Sequence, residues 1–193
     1  MNQRRIEDFD KKDLYIETAR GGKWFPSRDD NTLDERAVAH ALSSLARFCG
    51  NASRRDHIYT VAEHSVKVSY LVPTLTALMH DAHEMIIADM PKPIKVYLGG
   101  SYAALEKQVE QQFARIFNLV YPHPGEIHDA DVKMVMIEAM DLMPSAGKDW
   151  SYFDSYREEV EALYKRAPYL RPDCWSAAEA EQRFLDRFYE LSL

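Results

Sequence analysis

Apolar residues recur along most of this chain at spacings of three and four, the period of an amphipathic helix. Leu33, Ala37, Val38, Ala41, Leu42, Leu45 and Phe48 form the first stripe. It follows a Thr32-Leu33-Asp34-Glu35 capping box and stops at Gly50-Asn51. Thr60-Val61-Ala62-Glu63 opens a second helix, which carries Val61, Val68, Leu71 and Val72 and closes at Pro73. A third is predicted from about Thr74 to Ala88, before a loop forced by Pro91 and Pro93. A fourth starts near Ser101 with Leu105, Val109, Phe113, Ile116 and Phe117. After a turn at Tyr121-Pro122-His123-Pro124-Gly125, a fifth runs from about Glu126 to Met143 and is stopped by Pro144. The sixth covers roughly Trp150 to Lys165, and the last opens on a third capping box, Ser176-Ala177-Ala178-Glu179.

No segment alternates convincingly with period two. The first thirty residues, with Gly21, Gly22, Pro26 and Asp29-Asp30, are the least helical and read as loop with at most a short strand. The pattern predicts an all-α fold of six to seven helices around one core, a single domain over residues 1–193. Within it, 1–30 is irregular, 33–143 carries the motifs and 150–193 supplies C-terminal helices.

A chain of 193 residues buries enough surface to fold without a metal or disulfide staple. Lys and Arg total 24 against 31 Asp and Glu, a net charge of −7. A protein that neutralises a phosphate backbone leans basic, so nucleic acid is not the expected partner and a small molecule or protein is. The two cysteines, Cys49 and Cys174, form no disulfide framework. The N-terminus has no apolar run behind Arg4-Arg5, and no stretch approaches the roughly 18 apolar residues of a membrane span. A cytoplasmic protein is expected.

The chemistry lies in a few polar residues on apolar faces. His64 shares a face with Val61, Val68 and Leu71, so it points into the core. Alone it reads as a satisfied core histidine. His80-Asp81-Ala82-His83-Glu84 sits among Leu75, Leu78, Met79 and Met85-Ile86-Ile87. Burying such a cluster is costly unless its members are paired or bind a metal. Asp131 shares its helix side with Met134, Val135 and Glu138. The ordered set is a histidine, a His-Asp pair sixteen residues on, and an aspartate fifty residues later. Two imidazoles and two carboxylates suit a borderline divalent ion, and the lack of thiolates excludes a cysteine-type zinc site. Four such ligands on an octahedral ion leave room for water and a phosphoryl oxygen. His40, Ser43, Ser44 and Arg47 are predicted to form a polar stripe on the first helix.

The set His64…His80-Asp81…Asp131 on successive helices resembles the HD-domain metal phosphohydrolases. His80-Asp81-Ala82-His83-Glu84, followed by Asp89-Met90-Pro91-Lys92-Pro93-Ile94-Lys95, is similar to a stretch of bacterial 5′-deoxynucleotidases and of phage enzymes that remove triphosphate from dATP. Ala39-His40-Ala41-Leu42-Ser43…Arg47-Phe48 fits the same group, as does Ile127 to Met143, so the likeness spans about residues 33 to 143.

The resemblance implies that His64, His80, Asp81 and Asp131 hold a divalent metal (Mn, Co, Zn, Fe, Ni or Mg). Glu84 would orient or deprotonate a water, and Asp89 would assist as a second acid or base. Arg47 would grip the substrate phosphate and Phe48 would pack on sugar or base, where relatives often carry Trp. Lys92, Lys95, Arg54 and Arg55 could supply charge for further phosphates. The implied reaction is hydrolysis of the 5′-phosphate ester of a 2′-deoxynucleotide, dATP or dAMP by preference, in a bacterial or phage-host cytoplasm. Alternatives are a hydrolase of guanosine tetraphosphate or cyclic nucleotides, and a non-catalytic nucleotide-binding domain. His83 stands where relatives have a small residue and could bind a second ion, contact substrate or be neutral. Phe184, Phe188 and Tyr189 could serve either the core or a homo-oligomer face.

Overall fold

The computed structural model describes residues 10–52 and 58–193. The N-terminal arginines, Arg54, Arg55 and most of the 51–57 loop lie outside the described residues. The fold is all-α: α1 (Glu35–Ser44), α2 (Val61–Leu71), α3 (Leu75–Leu78), α4 (Glu84–Ile87), α5 (Lys92–Leu98), α6 (Gly100–Phe117), α7 (Gly125–Leu142), α8 (Arg157–Arg166) and α9 (Ala177–Leu191). Ahead of them a two-residue antiparallel pair, β1 (Ile16–Glu17) and β2 (Lys23–Trp24), delivers Trp24 into the core.

Helix α2 is the axis of the molecule, with every residue from Val61 to Ser69 buried. One side meets α1, α6 and α9 through Val38, Leu42, Val61, Val66, Val109, Phe113 and Phe184. The other meets α7 and α8 through Val68, Ile127, Met134, Ile137, Val160 and Leu163. A helix buried all round cannot discharge its polar residues into water, so Glu63, His64 and Lys67 must find partners inside.

Several helix boundaries depart from expectation, among them that of the sixth helix, whose N-terminal part, Ser151–Tyr156, is a 3₁₀ turn ahead of α8. Nine helices replace six or seven among the described residues, because the predicted helix 74–88 is broken between α3 and α4 and because α5 stands apart from α6. Across the break, Ala82, Glu84, Met85 and Ile86 donate to the carbonyls of Met79, Asp81, Ala82 and His83. These are bonds over three residues, a tighter turn than α-helix. The segment expected as a proline loop is instead the start of α5. Pro91 is its cap and Pro93 falls in its first turn, where the missing N–H costs nothing.

At α1 the cap is Asp34, whose side chain accepts from Ala37 N, rather than Thr32. The helix also ends at Ser44, so Arg47 does not continue its polar stripe. The backbone beyond pairs with the residues before α2: Arg47 N–H donates to Tyr59 O at 2.9 Å and Val61 N–H to Leu45 O at 3.0 Å. Thr60 and Ser176 do cap α2 and α9, but only half of each predicted box forms. The Glu63 carboxylate instead accepts from Asp173, Cys174 and Trp175 N–H, and that of Glu179 pairs with Arg183. Phe184 is core and Phe188 packs against it, while Tyr189 is exposed and donates to Glu35.

Candidate metal centre

Four residues from three elements converge on one point. His64 comes from α2, His80 and Asp81 from the tight turn between α3 and α4, and Asp131 from α7. His64 Nε2 lies 3.1 Å from Asp131 Oδ1 and 3.5 Å from Asp81 Oδ2. His80 Nε2 lies 3.2 Å from Asp81 Oδ2 and 4.0 Å from Asp131 Oδ1. Ligand atoms of His64, His80 and Asp81 all fall within 4.8 Å of one another.

The tautomers follow from the far side of each ring. His80 Nδ1–H donates to Ala77 O at 2.8 Å, and His64 Nδ1–H donates to Glu138 Oε1 at 2.5 Å. Each ring therefore turns Nε2 toward the cluster, where an ion can replace any proton it carries. Those nitrogens are buried and make no hydrogen bond among the described residues. Imidazole nitrogens there face carboxylate oxygens, an arrangement that a cation between them, a proton or a metal ion, resolves. Ligand atoms about 2.1 Å from one ion lie about 3.0 Å apart when adjacent and about 4.2 Å apart when opposed. The four nitrogen–oxygen separations, 3.1, 3.2, 3.5 and 4.0 Å, fall in that range, with Asp131 standing outside the tighter His64–His80–Asp81 group.

The charges agree. Burial and Arg47 work against an imidazolium at His64, yet Glu138 and Asp131 outweigh them and push its pKa up to about 10. Burial would raise Asp81, but His80, His64 and Arg47 hold it well below the usual carboxylate range. Asp131 is likewise lowered against its burial by the imidazoles.

Beside the cluster sits Arg47, buried, with Nη1 3.5 Å from Asp81 and 3.7 Å from Asp89, and Nη2 3.6 Å from Glu138. Its Nε–H has no acceptor among the described residues. Glu84 is buried at the start of α4 with Oε2 unpartnered. Burial, then the Asp81 and Asp89 charges, pushes its carboxyl well above the usual range. Phe48 lies next to Arg47 and against Trp150, ring centroids 6.3 Å apart. The backbone here is strained. Phe48 and Cys49 are left-handed, and Ala88 (φ 64°, ψ 162°) adopts a conformation that is essentially glycine's, turning Asp89 toward Arg47. Strain of this kind collects at functional sites.

Two expected residues stand elsewhere. His40 is half exposed and pairs with Glu181 at 3.1 Å, and Lys92 is exposed on α5. Lys95 is half buried and donates to Glu106 at 2.5 Å, with Glu84 and Asp81 close enough to act on its charge. Sequence reasoning missed the roles of Tyr59, which donates to Glu138 at 3.0 Å, and of Trp150. It placed Glu138 on the Asp131 side of its helix, the one signal that pointed to it.

Fold and cluster together define an all-α protein with a buried imidazole–carboxylate centre. The chain belongs to the family of YfdR, an uncharacterized protein of Escherichia coli (strain K12). The two are 31% identical over 169 residues, which cover 86% of this chain and 87% of YfdR. An uncharacterized protein of Rhodobacter capsulatus is 34% identical over 116 residues, 53% of this chain and 59% of its own length. No family model matches the chain.

Proposed function

We propose that this protein is an HD-domain phosphohydrolase that uses a divalent metal to cleave the 5′-phosphate ester of a 2′-deoxynucleotide, a deoxyadenine nucleotide by preference. The observation that carries the reading is the pair of buried Nε2 atoms, on His64 and His80, that converge with the carboxylates of Asp81 and Asp131. A divalent ion held by these four residues would supply an acidified water and polarise the phosphoryl group.

The chain's own residues divide the remaining work. Arg47 offers its buried Nε–H, which has no partner among the described residues, to a phosphate oxygen. Glu84 Oε2 takes the proton of the attacking water, and its raised pKa places it nearer the proton affinity a general base needs at neutral pH. As water oxygen bonds to phosphorus and the bond to O5′ breaks, the proton taken up by Glu84 is handed on by way of Asp89 to O5′. Phe48 with Trp150 forms an aromatic wall beside Arg47 against which sugar or base packs. Close packing there leaves little space for a ribose 2′-hydroxyl.

Purified protein with Mn²⁺ or Co²⁺ is offered dAMP, dATP, AMP and ATP, and nucleoside release is followed by chromatography. Release from the deoxy forms ahead of the ribo forms supports the reading. No turnover of any of them ends it, and tight binding without turnover would favour a regulatory nucleotide-binding domain. Equal rates for ribo and deoxy substrates would remove the sugar preference.

A further inference from the structure

A second cluster lies one turn beyond the first. His83 is 5% exposed, and its Nδ1–H donates to His80 O at 3.1 Å. Its Nε2 is thereby turned outward as a lone pair, buried and without a hydrogen-bond partner among the described residues. It points at α6, where Glu106 and Glu110 stand four residues apart on the same face. The distances from Nε2 are 3.8 Å to Glu106 Oε1 and 3.9 Å to Glu110 Oε1. Ligand atoms of the three residues lie within 4.8 Å of one another. An imidazole lone pair enclosed by two carboxylates repeats the electronic situation of the first cluster.

We infer that His83, Glu106 and Glu110 form a second divalent-cation site, distinct from the His64–His80–Asp81–Asp131 centre. One imidazole and two carboxylates suit Mn²⁺, Fe²⁺, Co²⁺ or Zn²⁺, with water completing the shell. Lys95 already donates to Glu106 Oε1, but a carboxylate oxygen carries two lone pairs and can meet Lys95 on one side and an ion on the other. An ion there ties α6 to the turn that carries His80, Asp81 and Glu84. The site therefore braces the first centre while contributing no ligand to it.

The count of bound ions tests this independently of any activity. Chelator-stripped full-length protein is titrated with Mn²⁺, and free Mn²⁺ is read by electron paramagnetic resonance. Wild type is expected to take up about two ions per chain and Glu110→Gln about one. Asp81→Asn is also expected to keep about one, and the Asp81→Asn/Glu110→Gln double variant about none. Glu110 is part exposed and its amide is isosteric, so this variant tests the site without opening the core. His83→Gln repeats the test from the other side, with helix content checked by circular dichroism. A Glu110→Gln that binds as many ions as wild type overturns the second site, whatever the wild-type count; a wild type with one ion that Glu110→Gln loses would place that ion at the second site. The first result does not bear on whether the first centre hydrolyses nucleotides, and absence of turnover leaves this count unaffected.

Discussion

His64 and Glu138 form a buried pair in which the imidazole Nδ1–H donates to a carboxylate oxygen at 2.5 Å, neither side chain having any exposed surface. The same oxygen accepts from Tyr59, and the other faces Arg47 at 3.6 Å. Glu138 thus orients a candidate ligand of the metal and a candidate ligand of the phosphate at once. A carboxylate behind a histidine fixes its tautomer and raises its basicity as a ligand.

Glu138→Gln keeps the shape and removes the charge. Metal affinity at the first centre is expected to fall about 10- to 100-fold, the range seen when such outer partners are lost. Titration with Co²⁺, followed by its visible absorption, reads this directly. Affinity equal to wild type would show that His64 is oriented by packing alone.

Glu84 governs the pH dependence. Its carboxyl is raised chiefly by burial, a cause that persists whether or not an ion is bound. A general base works only when deprotonated, so activity should be present above the raised pKa and lost as pH falls through it. The acid limb of kcat/KM is then expected above the ordinary glutamate value of 4.5. In Glu84→Gln the rate should fall about 10²- to 10⁴-fold, and this limb should disappear. An unchanged profile in the variant would assign the base elsewhere.

Parts of this fold were readable because burial repeats with the helix period. The turn at Tyr121–Gly125 and the stop at Pro144 bounded α7 to within one residue at each end. The break at Met79–His83 was not readable, since Leu75, Leu78 and Met85–Ile87 keep helical spacing across it. Only the three-residue hydrogen bonds reveal the tighter winding. Leu45 and Phe48 likewise extended the first stripe past Ser44, where the backbone has left the helix to pair with Tyr59–Val61. His64, His80, Asp81 and Asp131 could be picked out because ionisable residues on apolar faces demand partners. Glu106 and Glu110 could not, because carboxylates four apart on a half-exposed helix look like a solvated face until His83 is seen opposite them.

A second buried charge pair belongs to stability alone. Glu63 accepts from the backbone N–H groups of Asp173, Cys174 and Trp175. Lys67, 3.6 Å away, donates to Tyr169 O, Arg171 O and Asp173. Together they clamp the segment before α9 onto α2. Glu63→Gln leaves the lysine with only the exposed Asp173 carboxylate as counter-charge and sets an amide N–H against backbone donors. Breaking one side of such a pair costs about 3–5 kcal/mol. Lys67→Met should be similarly costly. The double variant should lose less than the sum of the two, because each single change strands the other partner. Urea denaturation of the three proteins measures this, and strict additivity would mean the two side chains act separately.

Metal removal should leave the fold standing and change its response to pH. The helices are held by apolar packing on both sides of α2, so a stripped protein is expected to keep its circular dichroism while losing activity. Its thermal midpoint should recover on adding Mn²⁺ at about 1,000 times the dissociation constant, which is worth about 4 kcal/mol. Without the ion, His64 has its pKa raised from 6.5 to about 10. An imidazolium favoured by the fold contributes stability that is complete below pH 6.5 and is lost as pH rises toward about 10. The stripped protein should therefore weaken over that window, and the loaded one should not share this loss. At pH 8 the ion must displace the proton on His64, so binding should release about one proton per ion. Calorimetry in buffers of different ionisation enthalpy counts that proton. A value near zero would mean that His64 is neutral before the ion arrives, and that Glu138 and Asp131 do not hold a proton on it.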